Sequence, residues 1–312
     1  MKPLLRLAFL ATLIYLQSCG GSMIKNKTDD SAKKQPTVVA SKVPVPVATS
    51  NLSITNEKDL NGYWVGPFEP DTSVSPLYTE DHNVWDYVNK INVSIDEING
   101  DKVSGHSVVA GNVRPFSGTM KKDGDTYRFA VNEPGDDQYD GKFEFHIKTG
   151  DTVLSGTWQA NKKVTFPARK YRLTKQIFKY NPANTMGSRF VDWTKVKASR
   201  QTADDGTKYM DTSFYMTSED LYKYNPSSTP LTKTQVANLK KSDIFILRNS
   251  IYARHGYSFK KQPLRVYFDE QDWYIPISND VKSELTPLEK QNITLLMRYE
   301  KNAKEYYDVF GR

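Results

Sequence analysis

The sequence predicts an α+β chain of several domains: an antiparallel β meander, closed as a barrel or folded as a sandwich, followed by a small all-α C-terminal domain. Three observations carry this prediction. Between about Gly62 and Leu173 apolar and polar residues alternate with the period of two that a half-buried strand requires. Turn signals such as Asn99-Gly100, Asp123-Gly124 and Gly150-Asp151 interrupt that stretch about every twelve residues, the spacing of consecutive hairpins. From Leu231 onward the apolar residues move to helical spacing between caps and stops.

The composition bounds the rest. The 312 residues are enough for about two domains, and 38% hydrophobic with 12% aromatic residues suffices for packed cores. One cysteine excludes a disulfide framework and a Cys-based structural zinc site, and four histidines supply metal chemistry thinly. No metal and no cofactor is expected.

Residues 1–18 place Lys2 and Arg6 before an apolar stretch from Leu7 to Leu16, the order of a secretory signal peptide and too short for a comfortable membrane span. Leu16-Gln17-Ser18-Cys19 resembles the lipobox of bacterial lipoproteins. The resemblance implies cleavage before Cys19 and lipidation of its thiol, a palmitate-bearing anchor that binds the membrane without spanning it. Gly20 in place of Asp is similar to the signal that sends lipoproteins to the outer membrane of diderm bacteria. Residues 19–56 then read as a tether, with five lysines against two aspartates and Val43-Pro44-Val45-Pro46-Val47 in extended polyproline geometry.

Residues 57–175 form the expected β-domain. Ile91, Val93 and Ile95 share one face, and Phe143, Phe145 and Ile147 another with Glu144, His146 and Lys148 opposite. Ser104-Gly105, Ser117-Gly118 and Ser155-Gly156 lie within strands, where a missing side chain permits bending or close backbone approach. Gly62-Tyr63-Trp64 on the first strand, with Arg169 and Arg172 near the last, is similar to the Gly-x-Trp and Arg pairing that closes one end of lipocalin-like barrels. That resemblance implies an interior able to hold a small apolar ligand; the rival expectation is a core filled by Trp64, Phe116, Phe129 and Trp158. The domain carries 15 basic and 18 acidic residues, so nucleic acid is not an expected partner. His82, His106 and His146 match no local ligand spacing.

Residues 176–230 read as a connecting segment with a hairpin about Asp204-Asp205-Gly206. Within it Lys179-Tyr180-Asn181-Pro182-Ala183-Asn184-Thr185 resembles Lys223-Tyr224-Asn225-Pro226-Ser227-Ser228-Thr229, read as turn chemistry at element ends.

In the last segment, 231–312, Ser242 is the expected N-cap of a helix carrying Ile244, Leu247 and Ile251 and stopped by Gly256. A second helix is expected over Leu264 to Glu270, and Thr286-Pro287-Leu288-Glu289 opens a third as a capping box. Ile251-Tyr252-Ala253-Arg254-His255-Gly256-Tyr257, flanked by Leu247-Arg248-Asn249 and by Tyr267-Phe268, Trp273-Tyr274 and Glu289, resembles the YARHG domain of exported bacterial proteins, a membership from which no activity follows. Arg254 returns to the helical face of Leu247 and so points toward the core, where a guanidinium needs a partner. Glu289 is the expected one, forming a structural ion pair with Arg254. A functional reading instead lines a groove with Tyr252, Arg254, His255, Tyr257, Trp273 and Tyr274, with Arg248, Lys260, Lys261 and Arg265 adding positive charge nearby, suited to the sugars and anions of envelope polymers.

The sequence thus reads as a non-catalytic lipoprotein anchored to the cell envelope, whose helical domain binds peptidoglycan, lipopolysaccharide or an envelope protein. A lipocalin-like carrier is the alternative. A cell-wall hydrolase is the third reading, against which stand the lack of a nucleophile elbow, of a His-Glu-x-x-His string and of a usable thiol.

Overall fold

The computed structural model describes residues 52–74 and 88–309; Cys19, the signal segment, the tether as far as residue 51 and His82 lie outside them, and the expected tether end at residue 56 is corrected, since Ile54 is buried in the barrel core. Eight strands, β1 (Gly62–Pro70), β2 (Asn89–Asn99), β3 (Lys102–Val109), β4 (Asn112–Asp123), β5 (Thr126–Asn132), β6 (Gly141–Lys148), β7 (Val153–Ala160) and β8 (Ala168–Gln176), pair antiparallel in sequence order and close into a barrel when β8 meets β1. Closure leaves no unpaired sheet edge. Between the sandwich and the barrel the sequence leaves a choice, because alternation describes a strand's two faces and is silent on which strand pairs last.

Alternation builds the interior. β6 buries Gly141, Phe143, Phe145 and Ile147 and exposes the residues between them. Ile91, Val93 and Ile95 meet them inside with Trp64, Phe116, Phe129, Trp158 and Leu173. The Ser-Gly pairs prove to be close-approach points: a Cβ on Gly105 would strike the Ser94 carbonyl and the Phe116 ring, and one on Gly118 the Ala130 carbonyl.

One end of the barrel is plugged. A 3₁₀ turn, Glu57–Leu60, capped by Asn56, sets Leu60 beside Ile54 and Trp64 in the core, and Trp64 Nε1 donates to the Leu60 carbonyl. The expected lipocalin-like partner is corrected here: the cation over the Trp64 ring is Lys175, 5.6 Å away, while Arg169 lies over Phe68 near the opposite end. Register decides this, since Lys175 stands across from Trp64 and Arg169 across from Pro70.

The middle hairpin forms as β9 (Val191–Thr202) and β10 (Lys208–Met216), joined into a three-stranded sheet by β11 (Tyr307–Asp308). Helices follow as α1 (Lys233–Ala237), α2 (Lys241–Arg254), α3 (Gln262–Asp269) and α4 (Pro287–Glu300). Gly256 ends α2 at φ +75°, as its position after the apolar run requires. Ser242 is not the cap: it lies inside α2, buried, and donates to the Met216 carbonyl, while Asp243 closes the capping box from the third helical position. Thr286 and Glu289 form the expected box on α4.

The helices share a core with Phe190 and Tyr215 of the hairpin segment, and barrel and helical part belong to one compact unit. α3 and the loop after it sit against β2. The backbone N–H of Lys90 donates to Asp269 Oδ2 (2.8 Å), Lys90 Nζ to the carbonyls of Gln271 and Tyr274, and Asn92 Nδ2 to the Pro276 carbonyl (3.0 Å). That covering is why β2 is buried on both faces over residues 91–95.

Candidate functional site

Among the described residues the barrel is open at the end opposite its plug, where the β3–β4, β5–β6 and β7–β8 connections gather. A pocket of about 440 Å³ lies there. This is within the range of about 300–1,000 Å³ common for small-molecule sites. Its apolar wall includes Phe68, Ile91, Phe143 and Trp158, and Phe166 comes from the β7–β8 loop. Its charged residues are Arg114, Glu133 and Arg169 from the barrel with Lys260 and Arg265 from the helical part.

Four of these five charged side chains, Arg114, Glu133, Arg169 and Arg265, are held in place. Arg114 is paired with Asp140 at 3.0 Å and Asp137 at 3.2 Å. Glu133, buried at the strand end, accepts from Ser107 Oγ (2.7 Å) and the Gly141 amide (2.7 Å). Burial pushes its carboxyl up, against those hydrogen bonds and the nearby Arg114 charge. Arg169 donates to the Phe68 carbonyl (2.8 Å) with its guanidinium 5.0 Å from the Phe68 ring centroid and 5.6 Å from that of Phe166. Arg265 donates to Asn89 Oδ1 (3.1 Å) and to the Lys260 carbonyl. The β3–β4 turn fixes this wall: the Gly111 amide donates to Ser258 Oγ (3.0 Å), and a Cβ on Gly111 would press on Lys260.

The second constellation is the Arg-His-Gly string. Arg254, 2% exposed, donates through Nε and Nη2 to the Asn184 carbonyl (2.9 and 2.7 Å) and through Nη1 to Ser250 Oγ (2.7 Å) and Ser227 Oγ (3.4 Å). Burial lowers its pKa to about 10, with the Glu289 charge acting in the opposite sense. The expected Arg254–Glu289 contact is therefore corrected. Glu289 pairs instead with His255, Oε2 to Nε2 at 2.8 Å, while accepting from the Thr286 amide and from the Tyr180 hydroxyl (3.1 Å). Arg254 and His255 are successive residues and diverge by about 100° around a helix, so only one of them reaches α4. Tyr180 also stacks on His255, with ring centroids 4.3 Å apart.

The two similar heptapeptides explain what Arg254 does. Asn181 and Asn225 each accept from the backbone amide two residues on, and Asn225 Nδ2 donates to the Pro182 carbonyl, so the turns lie side by side. Arg254 bonds both, through Asn184 of the first and Ser227 of the second. Of the six residues read as a groove, Arg254, His255 and Tyr274 are buried and Tyr252, Tyr257 and Trp273 half-buried. They meet as core packing, with Arg254 over Trp273 and the Tyr274 hydroxyl bonded to the Tyr257 carbonyl, and do not form an open surface.

Comparison with known proteins adds one assignment: residues 220–301 match the YARHG domain. The chain carries a YARHG domain at its C-terminal end. The match starts eleven residues before the Leu231 boundary expected from the helical pattern and takes in the second heptapeptide, whose Ser227 bonds Arg254. The YARHG domain is a small extracellular or periplasmic domain of unknown function, compatible with a non-catalytic envelope protein. No curated protein and no solved structure matches the chain significantly. Sequence reasoning singled out Arg169, Lys260 and Arg265 separately. It missed that they meet, and it missed Glu133 and Phe166, whose only sequence signal is their position next to a turn.

Proposed function

We infer that this protein is a non-catalytic envelope lipoprotein that holds a small ligand with an apolar body in the mouth of its barrel, the YARHG domain supplying one wall. The observation that carries the reading is the pocket of about 440 Å³ at the unplugged end, walled by Phe68, Phe143 and Trp158 and flanked by Lys260 and Arg265. The burial of Arg254 and His255 favours the barrel over the helical face as the place of contact. Export and anchoring rest on the Cys19 lipobox and on the YARHG domain's extracytoplasmic setting.

Nile red, an uncharged dye whose emission shifts to the blue in apolar surroundings, tests the site. Saturable, blue-shifted emission is expected with the purified protein. Thr165→Trp, an exposed loop residue on the pocket wall, should abolish it by filling the mouth. Dye binding indifferent to that substitution refutes the site. Radiolabelled palmitate should be incorporated in cells and lost with Cys19→Ser; unchanged labelling removes the anchor.

A further inference from the structure

The mouth is asymmetric in charge as well as in polarity. Arg169, at the start of β8, and Arg265, on α3, come from parts of the chain about a hundred residues apart and face the same pocket. Arg169 donates to the Phe68 carbonyl, and Arg265 to Asn89 Oδ1 and the Lys260 carbonyl. Both are held below their ordinary values chiefly by burial, and Arg169 is lowered further by the charge of Arg265, so each lies in the other's field. Asp269 is the acidic group that offsets Arg265, and it is itself engaged by the Lys90 amide. Lys260 adds a third cation on the same wall. Like charges gathered at a partly desolvated concavity repel one another and focus a positive potential into it, and an anion seated between them relieves the repulsion. The guanidinium fork suits a carboxylate or a phosphate in particular. The same pocket is walled by Phe68, Phe143 and Trp158; of its other charged groups, Arg114 is paired with Asp137 and Asp140, and Glu133 accepts from Ser107, Gly141 and Trp158.

We propose that the pocket selects amphiphilic anions, a carboxylate or phosphate lodged between Arg169 and Arg265 with its apolar chain or ring against Phe68, Phe143 and Trp158. The proposal rests on the reading of the mouth as a ligand site and adds the chemical class of the ligand. It also gives the YARHG domain a part in recognition, since Arg265 and Lys260 are contributed by that domain, which spans residues 220–301.

The test compares three probes of one chain length by isothermal titration calorimetry at pH 8, each below its micellar concentration: dodecanoate, dodecyl phosphate and dodecanol. The expected result is that both anions bind at least tenfold tighter than the alcohol, and that Arg265→Gln brings the anion-to-alcohol ratio close to one while Arg265→Lys retains part of it. If Arg265→Gln does not fold, Lys260→Glu at the exposed rim carries the same readout, a reduced ratio. Dodecanol binding as tightly as the anions overturns the anion selectivity and leaves the pocket standing. Failure of all three to bind overturns the pocket and the selectivity together. An undiminished ratio in Arg265→Gln or Lys260→Glu overturns the role of the YARHG wall.

Discussion

Replacing Arg254 with leucine tests whether the string that distinguishes the C-terminal domain is a structural clamp. The guanidinium carries four hydrogen bonds: two to the Asn184 carbonyl, one to Ser250 Oγ and a longer one to Ser227 Oγ. Leucine keeps most of the buried volume and removes every donor. The Asn184 carbonyl then loses both of its guanidinium donors, at about 1–3 kcal/mol for a group left unsatisfied, while the Ser250 hydroxyl keeps its bond to the Leu247 carbonyl and loses only the guanidinium it accepted from. Loss of the clamp also loosens the 181–184 turn, which Asn225 still holds through the Pro182 carbonyl and Tyr180 and Trp273 hold at its flanks. Relief of the desolvated charge returns part of this, since burial already lowers the guanidinium pKa to about 10. The net expectation is a loss of about 3–5 kcal/mol, in the range for breaking a buried polar network. At about 2–4 °C per kcal/mol for a chain of this size, that is a fall in Tm of about 6–20 °C. Differential scanning calorimetry of the parent, Arg254→Leu and the surface control Lys290→Ala reads it directly. Arg254→Lys keeps the charge but cannot bond both turns, and should fall between. A fall of under about 2 °C in Arg254→Leu, matching the control, refutes the clamp.

Two further expectations concern the same domain and the barrel. Burial would raise the Glu289 carboxyl, but the hydrogen bonds from His255 and Thr286 outweigh it and bring it from 4.5 to about 2. The unfolded chain therefore binds more protons between those values, and stability present above about pH 4.5 is lost as pH falls toward 2. Urea titrations between pH 3 and 6 should show this slope in the parent and a flatter one in Glu289→Gln; parallel slopes refute the assignment. In the barrel, Gly118→Ala forces a methyl onto the Ala130 carbonyl and within 2.6 Å of Val131 Cα, backbone that cannot swing aside. A cost of about 1–3 kcal/mol or more is expected from overpacking. The exposed neighbour Ser117→Ala should lie within about 0.5 kcal/mol of the parent in the same denaturation series, and equal midpoints for the two variants count against strand-to-strand contact at this glycine.

The sequence by itself determined most of what depends on near neighbours along the chain, the cap of α2 excepted, where Ser242 is drawn inward to the Met216 carbonyl. The interior faces of β2 and β6, the close-packed glycines, the stop at Gly256 and the Thr286–Glu289 capping box are set by periods of two or 3.6 and by local hydrogen bonds. The Arg-His-Gly string was legible as a domain signature for the same reason. What the tertiary structure decided is pairing across distance. Glu289 went to His255 because the 100° step along α2 turns Arg254 toward the 184 and 227 turns, and nothing in the spacing of charges reveals which of two adjacent cations an acid 34 residues away will meet. Lys175 covers Trp64 through the β1–β8 register, which only closure of the barrel sets. The pocket belongs to the same class. Its walls come from both ends of the barrel sequence and from α3, and Arg169 and Arg265 become neighbours because β2 and α3 dock, a consequence of burial summed over many residues that no single segment encodes.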